Sequence, residues 1–110
     1  MHEHAICNQI LKEAKNAGAT KSITIEVGEL AELIPEEVEE TMRGLSEEFE
    51  YKIIYKLSKI KCNNSDCLYG GKANILDKDH GYCVYNCPKC EQSHNITVLE
   101  GGEIKIIAVE

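Results

Sequence analysis

Apolar and polar residues alternate along the chain with two different periods, which predict helices and strands in turn. Residues 3–18 place apolar side chains at a 3.6-residue period, which predicts a helix that ends at Gly18. Residues 21–28 alternate between apolar and polar, which predicts a half-buried strand. Pro35 is favoured at the first position of a helix, so a second helix is predicted to start there. Its apolar stripe comprises Ile34, Val38, Met42, Leu45 and Phe49.

Two further alternating segments complete the predicted architecture. Alternation predicts one strand over residues 51–60 and another over residues 103–109, with a cysteine-rich stretch between them. The predicted class is α+β, with two helices on a small three-stranded sheet and an inserted module that holds the cysteines. Because three strands are about the minimum for a stable sheet, the terminal strand is expected to return to the sheet of the first domain.

The composition changes near residue 61. Up to that point the sequence is periodic and rich in glutamate, whereas residues 61–94 are rich in Cys, Asn, Gly and Asp. A short segment of that kind buries little apolar surface and usually needs a metal to fold. The predicted domains are therefore an α+β domain of residues 1–60 plus 97–110 and a metal-binding domain of residues 61–96.

Four cysteines form two close pairs, with four intervening residues in the first pair and two in the second. Zn²⁺ prefers a quartet of thiolates in a closed structural site, and the separation of the two pairs is typical of zinc ribbons. The predicted zinc ligands are Cys62, Cys67, Cys87 and Cys90. The inserted module is therefore predicted to be a zinc ribbon, and residues 61–96 a zinc-binding domain. The first pair is unusually wide, and Cys83, four residues before Cys87, is the candidate substitute for one ligand.

The six cysteines could serve purposes other than zinc binding. Six cysteines would permit a disulfide framework, but the opening residues MHEHAICNQI do not resemble a secretory signal. Intracellular thiols stay reduced, so clustered cysteines indicate metal. A redox role for the second pair is weaker, because the first pair completes a metal site. A catalytic zinc with an open position is disfavoured by four thiolates.

Charge and size limit the remaining function classes. The 110 residues carry a net charge of −7, from 12 basic and 19 acidic residues, and only 5% are aromatic. This balance argues against nucleic-acid binding, which needs basic groups to neutralise phosphates. No apolar run is long enough for a bilayer, so no membrane association and a soluble cytoplasmic protein are predicted. No catalytic constellation of side chains is recognisable, so an enzyme is not expected.

The chain opens with two histidines close to the terminal amine. A His at position 2 can bind a divalent metal through the amine, its imidazole and deprotonated backbone amides. Such nitrogen donors favour square-planar Ni²⁺ or Cu²⁺. The alternative is that His2 and His4 are simply solvated, as residues near a terminus commonly are. The local chemistry leaves both interpretations open.

Three motifs, taken together and in order, resemble those of the HypA family of nickel metallochaperones. They are Met1-His2-Glu3, Val27-Gly28-Glu29-Leu30 after the first strand, and Cys87-Pro88-Lys89-Cys90. The resemblance covers essentially the whole chain. It implies weak, transferable nickel binding in the maturation of [NiFe]-hydrogenase, and sometimes of urease. The rival hypothesis is a zinc-ribbon protein-interaction adaptor with an inert N-terminus.

The resemblance also implies roles for individual residues. Met1 and His2 would be nickel ligands, and Glu3 would shape the site or supply its amide nitrogen. His4 stands where the family usually has an apolar residue and is a candidate further ligand. The zinc quartet would be structural. The implied partners are a HypB-type GTPase and the hydrogenase large subunit precursor, and the protein would be a monomer or a weak homodimer.

The sequence also predicts where four other residues lie. Cys7 lies on the apolar face of the first helix and is expected to pack in the core. His80 and His94 are expected to be loop residues of the zinc module, because four cysteines already complete the zinc shell. Glu29 is expected to face the N-terminus or a partner.

Overall fold

The computed structural model describes residues 2–79 and 82–110, with the side chains of His2 and Glu3 left out. The elements in chain order are α1 (His2–Asn16), β1 (Ser22–Gly28), α2 (Pro35–Leu45), β2 (Glu50–Lys56), β3 (Lys59–Cys62), β4 (Gly70–Gly71), β5 (Asn74–Asp79), β6 (Tyr82–Asn86), β7 (Ile96–Glu100) and β8 (Ile104–Val109).

One sheet carries both helices. Its strand order is β2-β1-β8, in which β1 pairs parallel with β2 and antiparallel with β8. Parallel neighbours require a crossover connection, and α2 provides it between β1 and β2. We call α1, β1, α2, β2 and β8 the helix–sheet domain. The predicted α+β class and the return of the terminal strand to the first sheet are confirmed.

The alternation in β1 builds the core of this domain. Ile23, Ile25 and Val27 are fully buried at the centre of the sheet, and Cys7 from α1 is buried among them as expected. The other buried members of the cluster are Ile10, Ala14, Leu33, Val38, Met42, Phe49 and Tyr51.

Ile34 departs from the predicted apolar stripe of α2. It is 38% exposed, because it precedes the helix in an extended conformation rather than forming its first turn. Its carbonyl accepts the Glu37 N–H at 3.1 Å, and the Glu37 carboxylate accepts the Ile34 N–H at 3.2 Å, so Ile34 occupies the N-cap position.

The predicted single strand over residues 51–60 is two strands. β2 ends at Lys56 and β3 begins at Lys59, and β3 pairs with β7 rather than with the first sheet. The break occurs where Gly101 packs against the backbone of Leu57 and Ser58; a Cβ at Gly101 would lie 2.8 Å from the Leu57 carbonyl oxygen. The predicted division at residues 61 and 96 falls inside these two paired strands.

We call residues 59–100, which contain β3 to β7, the cysteine module. It has two small sheets, β4-β3-β7 and β5-β6. Its apolar cluster contains only Ile60, Ala73 and Leu30, and Leu30 comes from the loop after β1. The molecule is elongated, with principal extents of 51 × 24 × 16 Å. Within the described part of the chain, no helix is long and apolar enough to cross a membrane.

Candidate metal centre

The four predicted zinc ligands converge at one end of the cysteine module. Their sulfur atoms all lie within 4.8 Å of one another, and Cys62, Cys67 and Cys87 are buried. The Cys62 and Cys90 sulfurs are 3.8 Å apart, and those of Cys67 and Cys87 are 3.6 Å apart. Four sulfurs at about 2.3 Å from a central Zn²⁺ at tetrahedral angles would be separated by about 3.8 Å. These two separations match that value, so the sulfurs are close enough together to share one tetrahedral ion.

The second cysteine of each pair lies on a turn, and the two turns end with the same backbone conformation. The residue after each second cysteine, Leu68 or Glu91, has a positive φ of 53° or 63°. The Glu91 N–H donates to the Cys87 carbonyl at 2.8 Å, and the Leu68 N–H donates to the Asn64 carbonyl at 3.0 Å. Asn64 thus takes the place that Cys87 occupies in the second turn.

The wide spacing of the first pair arises because Asn64, and not a cysteine, begins the first turn. Cys62 lies two residues before Asn64, at the end of β3, where pairing with β7 directs it into the cluster. Its N–H donates to the Tyr69 carbonyl at 2.8 Å, which closes the chain back over the turn. A strand end and a turn therefore supply the first pair, whereas one short turn supplies the second.

Side-chain amide and ammonium groups surround the sulfurs. The Gln92 amide donates to the Cys62 sulfur at 3.1 Å, and the Gln92 carbonyl accepts the Cys87 N–H at 2.9 Å. Lys89 donates to the Cys67 carbonyl at 3.1 Å. Hydrogen bonds of this kind orient metal ligands and offset part of the negative charge that four thiolates carry.

Without a cation, the thiols of the quartet ionise unequally. Burial raises the pKa of Cys62, but hydrogen bonds from the Asn64 N–H and the Gln92 amide outweigh it and lower the pKa to about 7. Burial and the hydrogen bonds shared with the other thiols raise the pKa of Cys67 to about 12. Like charges this close oppose one another, so only a cation lets all four sulfurs ionise together near neutral pH.

Cys83 lies outside this cluster. It is in β6, and its sulfur is 3.8 Å from the backbone carbonyl oxygen of Glu29. Burial raises the pKa of the Cys83 thiol. Among the described residues, the quartet is the one group of three or more metal-binding side chains with ligand atoms close enough to share an ion.

The predicted nickel ligands lie at the edge of what the structure describes. Met1 and the side chains of His2 and Glu3 are outside the described residues, and His2 is the first residue of α1. His4 is exposed on the first turn of that helix. His80 is also outside the described residues, and His94 is exposed before β7.

Comparison with known proteins decides the family. The profile of the family described as "Hydrogenase/urease nickel incorporation, metallochaperone, hypA" matches residues 1–110, the entire chain. The chain belongs to the HypA family. The resemblance inferred from its three motifs is confirmed, and with it a role in nickel incorporation for hydrogenase.

Individual relatives agree with this assignment. The hydrogenase maturation factor HypA of Methanothermobacter thermautotrophicus is 29% identical over 125 aligned residues, which cover all of this chain and 98% of the relative. The solution structure of the Ni metallochaperone HypA from Helicobacter pylori has a TM-score of 0.59 at 19% identity, covering 98% of this chain and 95% of that one. Another HypA solution structure has a TM-score of 0.52, also at 19% identity, with coverage of 98% and 90%.

The second motif of this HypA-family chain has a structural explanation. Val27 is buried in the core of the helix–sheet domain, whereas Leu30 is buried in the apolar cluster of the cysteine module. Between them, Gly28 lies so close to Gly101 that a Cβ on Gly28 would be 2.3 Å from the Gly101 carbonyl oxygen. The motif therefore spans the junction of the two parts.

Glu29, the remaining residue of that motif, is only 3% exposed. It contacts Ser58 and Lys72 inside the junction, so the expectation of a surface that faces the N-terminus or a partner does not describe it. Gln92 and Ser58 were also missed by sequence reasoning, because their partners are far along the chain and neither belongs to a recognisable motif.

Proposed function

We propose that this chain binds Ni²⁺ through its first residues and delivers it to a nickel enzyme precursor, while Zn²⁺ held by the cysteine quartet keeps the cysteine module folded. The match of the family profile to all 110 residues is the observation that carries the nickel role. The convergence of four thiols at tetrahedral spacing supports the zinc role.

The proposed nickel site uses the terminal amine of Met1, the backbone amides and imidazole of His2, and Glu3 as a shaping residue or amide donor. The start of α1 at His2 supports this assignment. The first four N–H groups of a helix have no acceptor within the helix, so amide nitrogens there can lose their protons without breaking helical hydrogen bonds. His4, exposed on the same turn, is a candidate additional ligand.

A site at the start of a helix also suits transfer of its cargo. The helix itself is anchored further along by Cys7 and Ile10, which are buried against the sheet. Nickel would therefore leave by ligand exchange at the chain end, with the core of the domain intact. The positive end of the helix dipole opposes a bound cation by about 0.3–1 kcal/mol, which keeps the affinity of such a site modest.

The proposed zinc site is structural rather than catalytic. Cys62, Cys67, Cys87 and Cys90 would complete a tetrahedral shell and leave no position for water or substrate. Bound Zn²⁺ supplies cross-linking of the two turns and charge compensation for the four thiolates. A closed shell of this kind fits a metallochaperone without catalytic activity of its own, in a compartment that keeps thiols reduced, such as the cytoplasm.

The proposed partners are those that the family resemblance implies. The hydrogenase large subunit precursor would receive nickel, and a HypB-type GTPase would drive or time the transfer. The protein would act as a monomer or a weak homodimer. The acidic balance of the chain supports protein partners rather than nucleic acid, since a phosphate backbone would be repelled by a net charge of −7.

Nickel titration of the zinc-loaded protein tests the N-terminal site. We compare the native chain with a chain bearing one additional residue before Met1, because the extension displaces the amine from His2. Calorimetry should show a clear loss of nickel affinity on extension, with zinc content unchanged at one ion per chain. His2→Ala is expected to give the same loss. Equal affinity in the native and extended chains would sink the proposed site and favour the adaptor hypothesis.

A further inference from the structure

A single buried carboxylate lies between the two parts of the molecule. Glu29 follows directly after β1, the central strand of the helix–sheet domain, and its side chain is 4% exposed. Burial of a charged carboxylate is costly unless the charge is paired and its oxygens accept hydrogen bonds, so the partners of Glu29 show what its position stabilises.

The partners of the carboxylate come from segments on both sides of the junction. One oxygen accepts the hydroxyl hydrogen of Ser58 and, at 3.2 Å, the Ser58 backbone N–H. The other oxygen pairs with the Lys72 ammonium at 3.0 Å. Ser58 connects β2 to β3, and Lys72 lies inside the cysteine module between β4 and β5.

The Ser58 hydroxyl extends the contact into the module. While it donates to Glu29, its oxygen accepts the Ala73 backbone N–H at 3.0 Å. Ala73 is 3% exposed and belongs to the apolar cluster of the module. The chain of hydrogen bonds from Ala73 through Ser58 to Glu29 therefore ties the module's own core to the end of β1.

The backbone of Glu29 is held from the other sheet of the module. The Lys78 ammonium in β5 donates to the Glu29 carbonyl at 2.8 Å and lies 6.0 Å from the centre of the Tyr55 ring in β2. The Cys83 sulfur in β6 approaches the same carbonyl at 3.8 Å. Both strands of the β5-β6 sheet thus reach across to one peptide group of the helix–sheet domain.

Apolar contact across the junction is small by comparison. Leu30 is the buried apolar residue that the helix–sheet side contributes to the module's cluster. Apolar burial is non-directional and resists separation more than rotation. Hydrogen bonds and ion pairs depend strongly on distance and angle, so they define an orientation.

We infer that Glu29 is a positioning residue, whose carboxylate, with Ser58 and Lys72, fixes the angle of the cysteine module on the helix–sheet domain. This role goes beyond nickel delivery and does not depend on which metal the N-terminus carries. It gives the two ends of the molecule one defined geometry in which to meet a partner.

The test is a set of variants of the full, zinc-loaded chain, measured by residual dipolar couplings of backbone amides. In the native protein, the couplings of both parts should fit one alignment tensor. Glu29→Gln keeps the shape of the side chain and removes its charge. Lys72→Met removes the ammonium from a side chain that is 53% exposed, so it leaves the buried core of either part intact. In both variants, the tensor of the cysteine module should fall in magnitude relative to that of the helix–sheet domain.

Two further variants separate orientation from general destabilisation. Lys61→Met removes the same charge from an exposed residue of the same module and leaves Glu29 with its partners, so one tensor should still describe it. Lys72→Arg keeps a cation in reach of the carboxylate and should restore the common tensor. A single tensor with unchanged relative orientation in Lys72→Met would overturn the inference, as would two independent tensors in the native protein. A loss of common tensor in Lys61→Met would overturn it too.

Discussion

The helix–sheet domain and the cysteine module differ in what fills their interiors. The core of the first contains eleven buried apolar residues from α1, β1, α2 and β2 and the connections beside α2. The module has one apolar cluster of three buried residues, including one borrowed from the other domain, and one cluster of three buried cysteines. Buried apolar side chains fill the interior of the first, whereas half of the six buried residues in the module's two clusters are proposed metal ligands.

This difference shows how one chain can combine two sources of stability. A segment the size of the module buries too little apolar surface to balance its loss of chain entropy. Tyr69 and Ile96 pack on both the small apolar cluster and the cysteines, so the metal site and the remaining core support each other. The helix–sheet domain needs no such help, and metal should stabilise the two parts unequally.

Loss of one cysteine of the quartet should have the largest effect on the relative stability of the two parts. Cys87→Ser removes a fully buried member of the proposed zinc quartet, and structural zinc contributes an apparent free energy of about 10–16 kcal/mol in small zinc-dependent folds. We expect the module to lose its fold while β1, β2 and β8 keep theirs. Amide hydrogen exchange measured residue by residue should show protection retained in β1 and abolished in β3 and β7. Equal loss of protection in both parts would mean that they fold as one unit. Cys83→Ser is the matched control, since its sulfur lies outside the quartet, and should keep zinc.

The converse experiment weakens the apolar core. Met42 is fully buried in α2, and Met42→Ala should cost about 2–5 kcal/mol in the free energy of unfolding of the helix–sheet domain. Urea denaturation followed by circular dichroism at helical wavelengths measures this loss, and zinc content should stay at one ion per chain. Ile54→Ala, at 45% exposure on the same domain, should cost much less. Loss of zinc in Met42→Ala would contradict the separation of the two sources of stability.

The junction can be probed through its closest backbone contact. Gly28→Ala places a Cβ against the Gly101 carbonyl oxygen. The backbone must shift to make room for it, which should lower the free energy of unfolding by about 1–3 kcal/mol. Gly44→Ala is the matched control, because a Cβ there meets nothing within 4 Å in a helix. It should stabilise the protein by about 0.8–1 kcal/mol. Thermal unfolding of the two variants should therefore shift in opposite directions.

Acid should reveal the Glu29 carboxylate, with the smallest effect of the four. Burial raises the pKa of Glu29, but hydrogen bonds from Ser58 and Lys72 outweigh burial and leave the pKa below its ordinary value of 4.5. Stabilisation from a lowered carboxyl pKa is fully present above the unfolded value, and it is lost as the pH falls through the folded pKa.

The native protein should accordingly exceed Glu29→Gln in unfolding free energy at neutral pH. The difference should narrow as the pH falls below about 4.5, where the unfolded carboxyl begins to bind its proton. Zinc is also released in acid, because its thiolates regain protons, and its loss would unfold the module that carries Lys72. Zinc content is therefore measured at each pH, and the two proteins are compared only where both retain zinc. A difference that grows toward low pH would contradict the assignment.

Much of the helix–sheet domain could be predicted from periodicity. Ile23, Ile25 and Val27 alternate with polar residues, and that period determines which face of β1 is buried. The break between β2 and β3 could not be predicted in this way, because apolar residues continue to alternate through Leu57. The break depends on Gly101, which lies far along the chain and packs on Leu57 in the fold.

The cysteine quartet was also predictable, since spacing carries most of the information in a metal site. What spacing cannot give is the register of β5 with β6, which pairs Cys83 with Lys78 and places it at Glu29 rather than with the other sulfurs. Glu29 belongs to the second motif, but nothing in its local sequence indicated that its side chain is buried. Its partner Ser58 is 29 residues away, and an acidic residue after a strand usually faces solvent. The nickel ligands stay a prediction from the motif Met1-His2-Glu3.

Both ends of the cysteine module are attached to strands that flank β1: β2 leads into it and β8 follows it. In terms of chain statistics, the module is a closed loop across one sheet. Closing a flexible loop costs only about (3/2)RT ln n, so its cost grows slowly with the number of residues enclosed. If the module unfolds on loss of metal, the β2-β1-β8 sheet then closes a flexible loop instead of a folded one. The additional entropic cost of closing that loop is small. The fold can therefore tolerate a wide range of sequence lengths at this position, provided that the two exits remain side by side on β1.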